Sequence, residues 1–274
     1  MDYVKLLKTI NTLVVGEGKL LQKALLSNYA LDFHIKSNTD KNWSDIDLHT
    51  ELDEKIEKDI YNKLSKEFPE LGFLLEEHEE LNKKGKEFTC FIDPIDGSKY
   101  FARKVLFFAI SVGILKGVEP VLGVVYNPIS KQLYAGAEGI PTTLNGNEAR
   151  VSQQTNPQSA MISACLASHK ENWESEKAWM YDKLTHLLDS FGKVRLFGNG
   201  ALSCAWTATG GLDGFVSLWG HGSKPFDIMA GKALIKYAGG KTIDLKIPGI
   251  KQPRFIGGNE ALVDEISRIL LYKD

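Results

Sequence analysis

The chain has 274 residues, of which 43% are hydrophobic and 25% charged, a composition typical of globular enzymes. Its length indicates one large domain or two closely packed ones. A formal net charge of -2 gives no broad attraction to nucleic acid or to a membrane surface, so neither partner is expected. The longest apolar run, residues 105–115, is too short to span a bilayer. Three widely spaced cysteines without a CxxC pair indicate reduced thiols in a cytoplasmic protein.

The first half of the chain combines helical and strand patterns. Thr50 and Asp53 form a near capping box at the start of the second helix. The polar stretch 36–47 predicts a loop, and Asn145-Gly146 predicts a hairpin. Apolar spacing predicts helices over 3–29 and 50–64, and strands over 31–35, 71–75, 88–92, 107–115, 121–126 and 132–136. Turn residues separate the last three strands, which therefore form an antiparallel meander.

In the second half, strands and helices alternate, which implies a mixed or parallel sheet. The predicted elements are strands over 160–166, 194–197, 215–219 and 242–245, and helices over 173–188, 200–210, 225–237 and from Asn259 onward. The polar segment 153–157 is the predicted boundary between an N-terminal α+β domain, 1–152, and a C-terminal α/β domain, 153–274. The predicted fold class is α/β of mixed α+β type, with an antiparallel first sheet and a mixed second sheet.

One stretch near the middle of the first half carries the candidate chemistry. The apolar run 88–92 predicts a buried strand that stops at Pro94, because proline has no N–H for the sheet. Asp93 and Asp96 then share a tight turn, with the carbonyl group of Ile95 between them. Two carboxylates and a carbonyl are the oxygen donors that a hard divalent cation such as Mg²⁺ prefers.

The next residues suit an anion. Gly97 permits a sharp backbone path and Ser98 is a good helix N-cap, so their N–H groups are candidates to hold a phosphate beside the metal. The same residues are also those of an ordinary turn, and an EF-hand is excluded because its twelfth position is Lys104. A second acidic cluster, Glu76–Glu80, directly follows the strand 71–75. Alone it is typical of a solvated charge run, but a strand that ends in an acid is also a good way to place a metal ligand.

Together these stretches resemble the three signatures of the inositol monophosphatase family, in order and over nearly the whole chain. The matching segments are Glu76-Glu77, Asp93-Pro94-Ile95-Asp96-Gly97-Ser98, and Pro225-Phe226-Asp227-Ile228-Met229-Ala230-Gly231 with Gly239-Gly240. The resemblance implies an αβαβα layered sandwich and a lithium-sensitive phosphatase that uses two or three Mg²⁺ ions. It also implies a homodimer and a small phosphorylated metabolite as substrate.

The resemblance implies a role for each matching residue. Ser98, in place of the family's usual threonine, would orient the attacking water. Asp53, in a Thr-x-x-Asp element that begins at Thr50, would hydrogen-bond to that hydroxyl, and Glu76 would also take part in catalysis. The metal ligands would be Glu76, Asp93, the Ile95 carbonyl, Asp96 and Asp227, with Asp93 bridging two ions. Candidate substrate contacts are Asp96, Gly97, Ser98, Gly198, Asn199, His221 and Asp227.

The substrate side departs from the family pattern. Gly220 stands where inositol-specific members have a glutamate that holds the inositol hydroxyls, and Lys99 resembles the nucleotidase branch. His221 is a candidate substrate contact or simply a loop histidine. The preferred reaction is hydrolysis of inositol monophosphate by direct attack of water. The alternatives are 3′-phosphoadenosine 5′-phosphate or fructose 1,6-bisphosphate as substrate, or a non-catalytic metal-binding protein, which the full set of presumed ligands disfavours.

Overall fold

The computed structural model describes residues 1–26, 33–36, 47–82, 86–166, 173–220 and 226–272. In 33–36, 47–50 and 173–175 only the backbone is described. The described ranges contain these helices: α1 (Tyr3–Leu26), α2 (Glu51–Glu67), α3 (Ser98–Ala102), α4 (Trp173–Ser190), α5 (Gly200–Ala208), α6 (Phe226–Tyr237) and α7 (Glu260–Leu271). Their strands are β1 (Phe33–Lys36), β2 (Asp47–Thr50), β3 (Leu71–Leu75), β4 (Phe88–Asp96), β5 (Ala109–Lys116), β6 (Glu119–Asn127), β7 (Gln132–Ala137), β8 (Ile140–Leu144), β9 (Asn147–Glu148), β10 (Met161–Cys165), β11 (Lys193–Arg195), β12 (Gly214–Ser217), β13 (Lys241–Leu245) and β14 (Arg254–Gly258).

The first sheet has seven strands in the order β3-β4-β5-β6-β7-β8-β9. From β4 to β9 every neighbouring pair is antiparallel, as the meander pattern predicts. The prediction of an antiparallel first sheet is wrong only at its edge, where β3 and β4 pair in parallel. Parallel neighbours cannot be joined by a hairpin, and twelve residues of sequence, 76–87, separate β3 from β4. Parallel pairing brings the carboxyl ends of β3 and β4, and with them Glu76 and Asp93, to one edge of the sheet.

Strand β4 continues past Pro94, where the sequence predicted its end. Pairing with β3 extends only to Ile92, and pairing with β5 changes register between Asp93 and Asp96. Pro94 therefore lies in a bulge, where its missing N–H interrupts no ladder hydrogen bond. The bulge keeps both aspartates on the end of one strand rather than on a separate turn.

The second sheet has the order β11-β10-β12-β14-β13 and is mixed, as predicted. Strand β10 is parallel to β11 and β12, whereas β14 is antiparallel to β12 and β13. Neither β14 nor the short β1–β2 hairpin is fully anticipated by the sequence pattern. Strand β14 ends in two glycines, and β2 follows a polar stretch, so neither shows an apolar alternation. Of the loop predicted over 36–47, residues 37–46 lie outside the described residues.

The two sheets alternate with three helical layers, which confirms the predicted αβαβα sandwich. Helices α1 and α2 pack on the first sheet, α5 and α6 lie between the sheets, and α4 and α7 cover the second sheet. The middle apolar core draws Val125 and Tyr134 from the first sheet and Phe255 from the second. The division into domains 1–152 and 153–274 stays a prediction. No helix in the described ranges has both the length and the apolar character of a membrane span.

Candidate active site

A cavity of about 480 Å³ opens at the edge of the first sheet where β3 and β4 end. The predicted metal ligands and phosphate-binding residues share its wall with several basic and aromatic neighbours. Its lining residues are Glu76, Asp93, Ile95, Asp96, Gly97, Ser98, Lys99, Tyr100, Arg103, Gly198 and Asp227. All five predicted metal ligands therefore meet in one place, although Glu76, the stretch 93–96 and Asp227 are separated in sequence.

Asp96 and Asp227 are brought together by the two helices between the sheets. One carboxylate oxygen of Asp96 accepts the N–H of Ala201, in the first turn of α5, at 2.7 Å. Asp227 lies in the first turn of α6. A Cβ atom added to Gly200 would lie 2.9 Å from the Cβ of Asp227, so only glycine lets α5 approach α6 this closely. Both acids thus stand near helix N-termini, where the helix dipole favours negative charge.

The turn after β4 positions a hydroxyl group against a buried acid. Gly97 is the N-cap of α3, with φ at +98°, and an added Cβ would lie 2.9 Å from the Phe107 carbonyl oxygen. The sequence predicted Ser98 as the N-cap. Gly97, in its left-handed conformation, takes the N-cap position instead, and Ser98 is the first residue of α3. The Ser98 Oγ lies 3.0 Å from Asp53 Oδ1 and 2.7 Å from the Ile95 carbonyl oxygen. Since a hydroxyl has one proton, it donates to one of these acceptors at a time.

The acids repel one another, and this repulsion raises the pKa values of Asp93 and Asp96. Burial raises the pKa of Asp93 well above its usual range, and the charges of Glu76, Asp96, Asp227 and Asp53 raise it further. Burial and the charge of Asp227 likewise raise the pKa of Asp96, against the lowering effect of the Ala201 N–H. Charged carboxylates in this cluster therefore require cations nearby.

The donor set fits Mg²⁺. It consists of oxygen atoms alone, and Asp93 is only 4% exposed, so that an ion there would be shielded from bulk water. No three His, Cys, Asp or Glu side chains within the described ranges converge closely enough to hold one ion between them. Mg²⁺ commonly takes one or two carboxylates and completes its octahedron with water and substrate phosphate. Sharing the cluster between two ions suits that preference.

The raised pKa of Asp93 predicts how stability depends on pH when divalent cations are removed. A carboxyl whose folded pKa lies above its unfolded value, about 4, contributes stability that is present below pH 4. That contribution is lost as the pH rises through the folded pKa. In EDTA at pH 7.5, Asp93→Asn should therefore melt above the wild type, by about 2–4 °C for each kcal/mol of repulsion relieved. The difference in Tm should shrink toward pH 4. Thermal melts at both pH values check this, and an Asp93→Asn advantage that grows on acidification contradicts it.

Some predicted site residues lie elsewhere. Asn199 is 2% exposed and does not line the cavity. Its side-chain Nδ2 donates to the Asp96 carbonyl at 2.8 Å, and its Oδ1 caps α5 by accepting the N–H of Leu202. Asn199 therefore supports the cavity wall from the protein interior, because it links Asp96 to the first turn of α5. His221 lies outside the described residues, as does the side chain of Thr50, so their predicted roles stay predictions.

Two features of the site were missed from the sequence. The first is Glu57, fully buried on α2, where burial raises its pKa while hydrogen bonds from His78 and from backbone N–H groups oppose the rise. The second is the pair Tyr100 and Arg103 in the cavity wall, where the Tyr100 hydroxyl donates to the Phe197 carbonyl at 2.6 Å. The available signal was spacing, because Glu57 follows Asp53, and Arg103 follows Lys99, by one helical turn.

An αβαβα sandwich with an acidic cavity at the edge of its first sheet indicates a class of phosphatases. The chain belongs to the inositol monophosphatase family, whose family model matches residues 6–268. Inositol monophosphatase 1 of Solanum lycopersicum is 32% identical over 73% of this chain and 72% of its own length. A protein of Aquifex aeolicus named fructose-1,6-bisphosphatase/inositol-1-monophosphatase is 31% identical over 81% of each chain. The crystal structure of extragenic suppressor protein suhB from Bartonella henselae superposes with a TM-score of 0.82, at 26% identity over 97% of this chain and 98% of that one.

Proposed function

We propose that this phosphatase is a Mg²⁺-dependent phosphoric monoester hydrolase that acts on a small phosphorylated metabolite, with inositol monophosphate as the first candidate. The observation that carries the proposal is the meeting, in one cavity, of four carboxylates with the Ser98 hydroxyl, which itself contacts buried Asp53. Metal ligands, a phosphate-binding turn and a group that orients water are the parts that hydrolysis of a phosphate ester needs.

Different residues of the cavity would bind the metal ions and the phosphate. Glu76, Asp93, the Ile95 carbonyl, Asp96 and Asp227 would hold two or three Mg²⁺ ions, with Asp93 between two of them. Bound Mg²⁺ supplies Lewis acidity toward the phosphate and lowers the pKa of water. The N–H groups of Gly97 and Ser98 would receive the phosphate oxygens, and Gly198 lines the same cavity.

The side chains of Ser98 and Glu76 would orient the attacking water. When the Ser98 hydroxyl donates to Asp53, a lone pair on its oxygen is left to accept a hydrogen bond from the attacking water. That bond would hold the water in line with phosphorus, and Glu76 is the candidate to accept a proton from it. Attack is direct, without a covalent enzyme intermediate.

A second candidate substrate carries two phosphates. Lys99 and Arg103 line the same cavity one helical turn apart, and neither forms an ion pair with another described residue. A glutamate at position 220, where inositol-specific members have one, would be crowded here, because a Cβ atom on Gly220 would lie 2.4 Å from the Cβ of Gln252. A basic pair with no ion-pair partner among the described residues, together with the missing hydroxyl ligand, favours fructose 1,6-bisphosphate or 3′-phosphoadenosine 5′-phosphate.

Phosphate release from three substrates in parallel tests both candidates. Inositol 1-phosphate, fructose 1,6-bisphosphate and 3′-phosphoadenosine 5′-phosphate are each assayed at about 5 mM Mg²⁺, a level suited to weakly held ions, with and without Li⁺. Hydrolysis that requires Mg²⁺ and is suppressed by Li⁺ supports the proposal. No release from any of them, while metal still binds, favours the non-catalytic alternative.

Variants of the basic pair decide between one phosphate and two. With a bisphosphate substrate, Lys99→Met or Arg103→Met should raise KM by about tenfold, the value of one charge-assisted hydrogen bond. With inositol 1-phosphate the same variants should change KM little. Lys19→Met, at an exposed lysine on α1, is the matched control. Equal effects of Lys99→Met on both substrate types would remove the case for the bisphosphate.

The same proposal includes a cytoplasmic homodimer. All three cysteines are free thiols, and Cys90 and Cys204 are buried, which suits a reducing compartment. The dimer rests on family membership, and light scattering of the purified chain measures it.

A further inference from the structure

Helix α2 carries a second buried acid besides Asp53. Glu57, one turn further along, is 0% exposed, on the edge of the apolar stripe that packs α2 against the first sheet. Its Oε1 accepts the N–H of Glu76 at 2.6 Å. Its Oε2 accepts the N–H of Glu77 at 3.0 Å, and the N–H and ring Nδ1 of His78 at 2.9 Å each.

Every one of these neighbours presents a nitrogen to the carboxylate, which in its charged form can only accept. A buried carboxylate is costly unless its oxygens are fully hydrogen-bonded, and here both are. An apolar side chain at this position would avoid that cost, but it would leave the N–H groups of Glu76, Glu77 and His78 without this acceptor. The acid therefore does something that packing does not require.

The convergence fixes the path of the backbone after β3. Three successive N–H groups, from Glu76 to His78, point at one carboxylate, and the N–H of Leu75 is taken by Asn82 Oδ1 at 2.7 Å. The chain therefore curls around Glu57 at the point where it leaves the sheet. The curl decides the direction in which the Glu76 side chain enters the cavity.

We propose that Glu57 is a positioning residue that sets the Glu76 carboxylate for metal binding, and that the His78 ring holds Glu57 in place. The proposal rests on the proposed function, in which Glu76 is a metal ligand. Helix α2 then aligns both halves of the site: Asp53 fixes the hydroxyl of Ser98, and Glu57 fixes the turn of Glu76. Groups that hold a ligand without touching the metal commonly change metal affinity by about 10–100-fold.

Glu57→Gln in the full-length protein tests this. Glutamine keeps the volume, but its NH₂ group would face N–H donors and so cannot replace Oε2. Direct titration of the metal-free protein with Mn²⁺, followed by electron paramagnetic resonance, should show a Kd raised about tenfold or more. At saturating Mg²⁺, kcat should recover most of its wild-type value, because the ligand itself is still present.

Two further variants keep the test decisive. Asp59→Asn, at a 41% exposed carboxylate on the same helix, is the matched control and should bind Mn²⁺ like the wild type. His78→Gln leaves Glu57 in place and should give a smaller rise in Kd, which also covers the case that Glu57→Gln fails to fold. A purely structural role would lower Tm and leave the Kd of the folded protein unchanged, and that result in either variant overturns the proposal.

The Mn²⁺ readout also separates this proposal from the proposed function. If the wild type binds Mn²⁺ but hydrolyses none of the three phosphate esters, the proposed function fails, while a raised Kd in Glu57→Gln still supports the positioning role. If the wild type hydrolyses a phosphate ester and Glu57→Gln binds Mn²⁺ normally, only the positioning role fails.

Discussion

Asp93→Asn is expected to reduce kcat/KM for phosphate release by roughly a thousandfold or more. Loss of metal charge stabilisation costs several kcal/mol, and each 1.36 kcal/mol is a factor of ten in rate. Asp93 is the proposed bridge between two ions, so its loss should weaken both. Asparagine has nearly the same shape, and its Oδ1 can still accept the Ile95 N–H that Asp93 now accepts at 3.1 Å. The fold should therefore survive while the charge is lost.

Steady-state kinetics across a Mg²⁺ titration, together with a thermal melt, measures both effects of Asp93→Asn. Asp244→Asn is a suitable control, because Asp244 pairs with Lys232 on the surface, away from the cavity. Loss of activity with an intact melting transition supports the metal role. Near-normal turnover in Asp93→Asn would mean that the assigned ligands are wrong.

Ser98→Ala should lower kcat by about 100-fold, the usual cost of misplacing a reacting group by about 1 Å. The substitution removes the atom through which Ser98 contacts Asp53, since Oγ lies 3.0 Å from Asp53 Oδ1. The Ser98 N–H remains, so phosphate binding and KM should change far less than kcat. Metal affinity should stay close to that of the wild type, because the Ser98 hydroxyl is not a proposed ligand.

Ser98→Thr is the matched control, since it restores the hydroxyl with one added methyl group and should recover most of kcat. Metal binding is measured in parallel for both variants. A Ser98→Ala enzyme with wild-type kcat would show that the hydroxyl does not orient the water. A large rise in KM at unchanged kcat would instead assign Ser98 to substrate binding alone.

Much of the site could be predicted because each ligand stands at the end of an element that local patterns reveal. The apolar run before Asp93 and the strand before Glu76 are both short and buried, and Asp227 opens a helix that Pro225 and Gly239-Gly240 delimit in the sequence. Elements of this kind are fixed by local spacing. An acid directly after such a strand is a candidate metal ligand, because a charge at that position does not stabilise the strand.

The features that were missed depend on long-range contacts. The parallel pairing of β3 with β4 and the insertion of β14 between β12 and β13 are set by the assembled sheets. Pro94 ends a strand in isolation but is accommodated when the partner strands supply a bulge. The sequence pattern predicts only an ordinary amphipathic helix around Glu57, because the three N–H groups that make its burial favourable converge only when β3 lies beside α2.

The central claim is that the carboxylates at the end of β3, β4 and the start of α6 hold the catalytic ions. A crystal structure of the protein soaked with Mn²⁺, read by its anomalous scattering, tests it most directly. Two or three peaks are expected in the cavity, at about 2.0–2.3 Å from oxygens of Glu76, Asp93, Ile95, Asp96 and Asp227, with Asp93 contacting two of them. An empty cavity at saturating Mn²⁺, or ions bound only elsewhere, would contradict the claim.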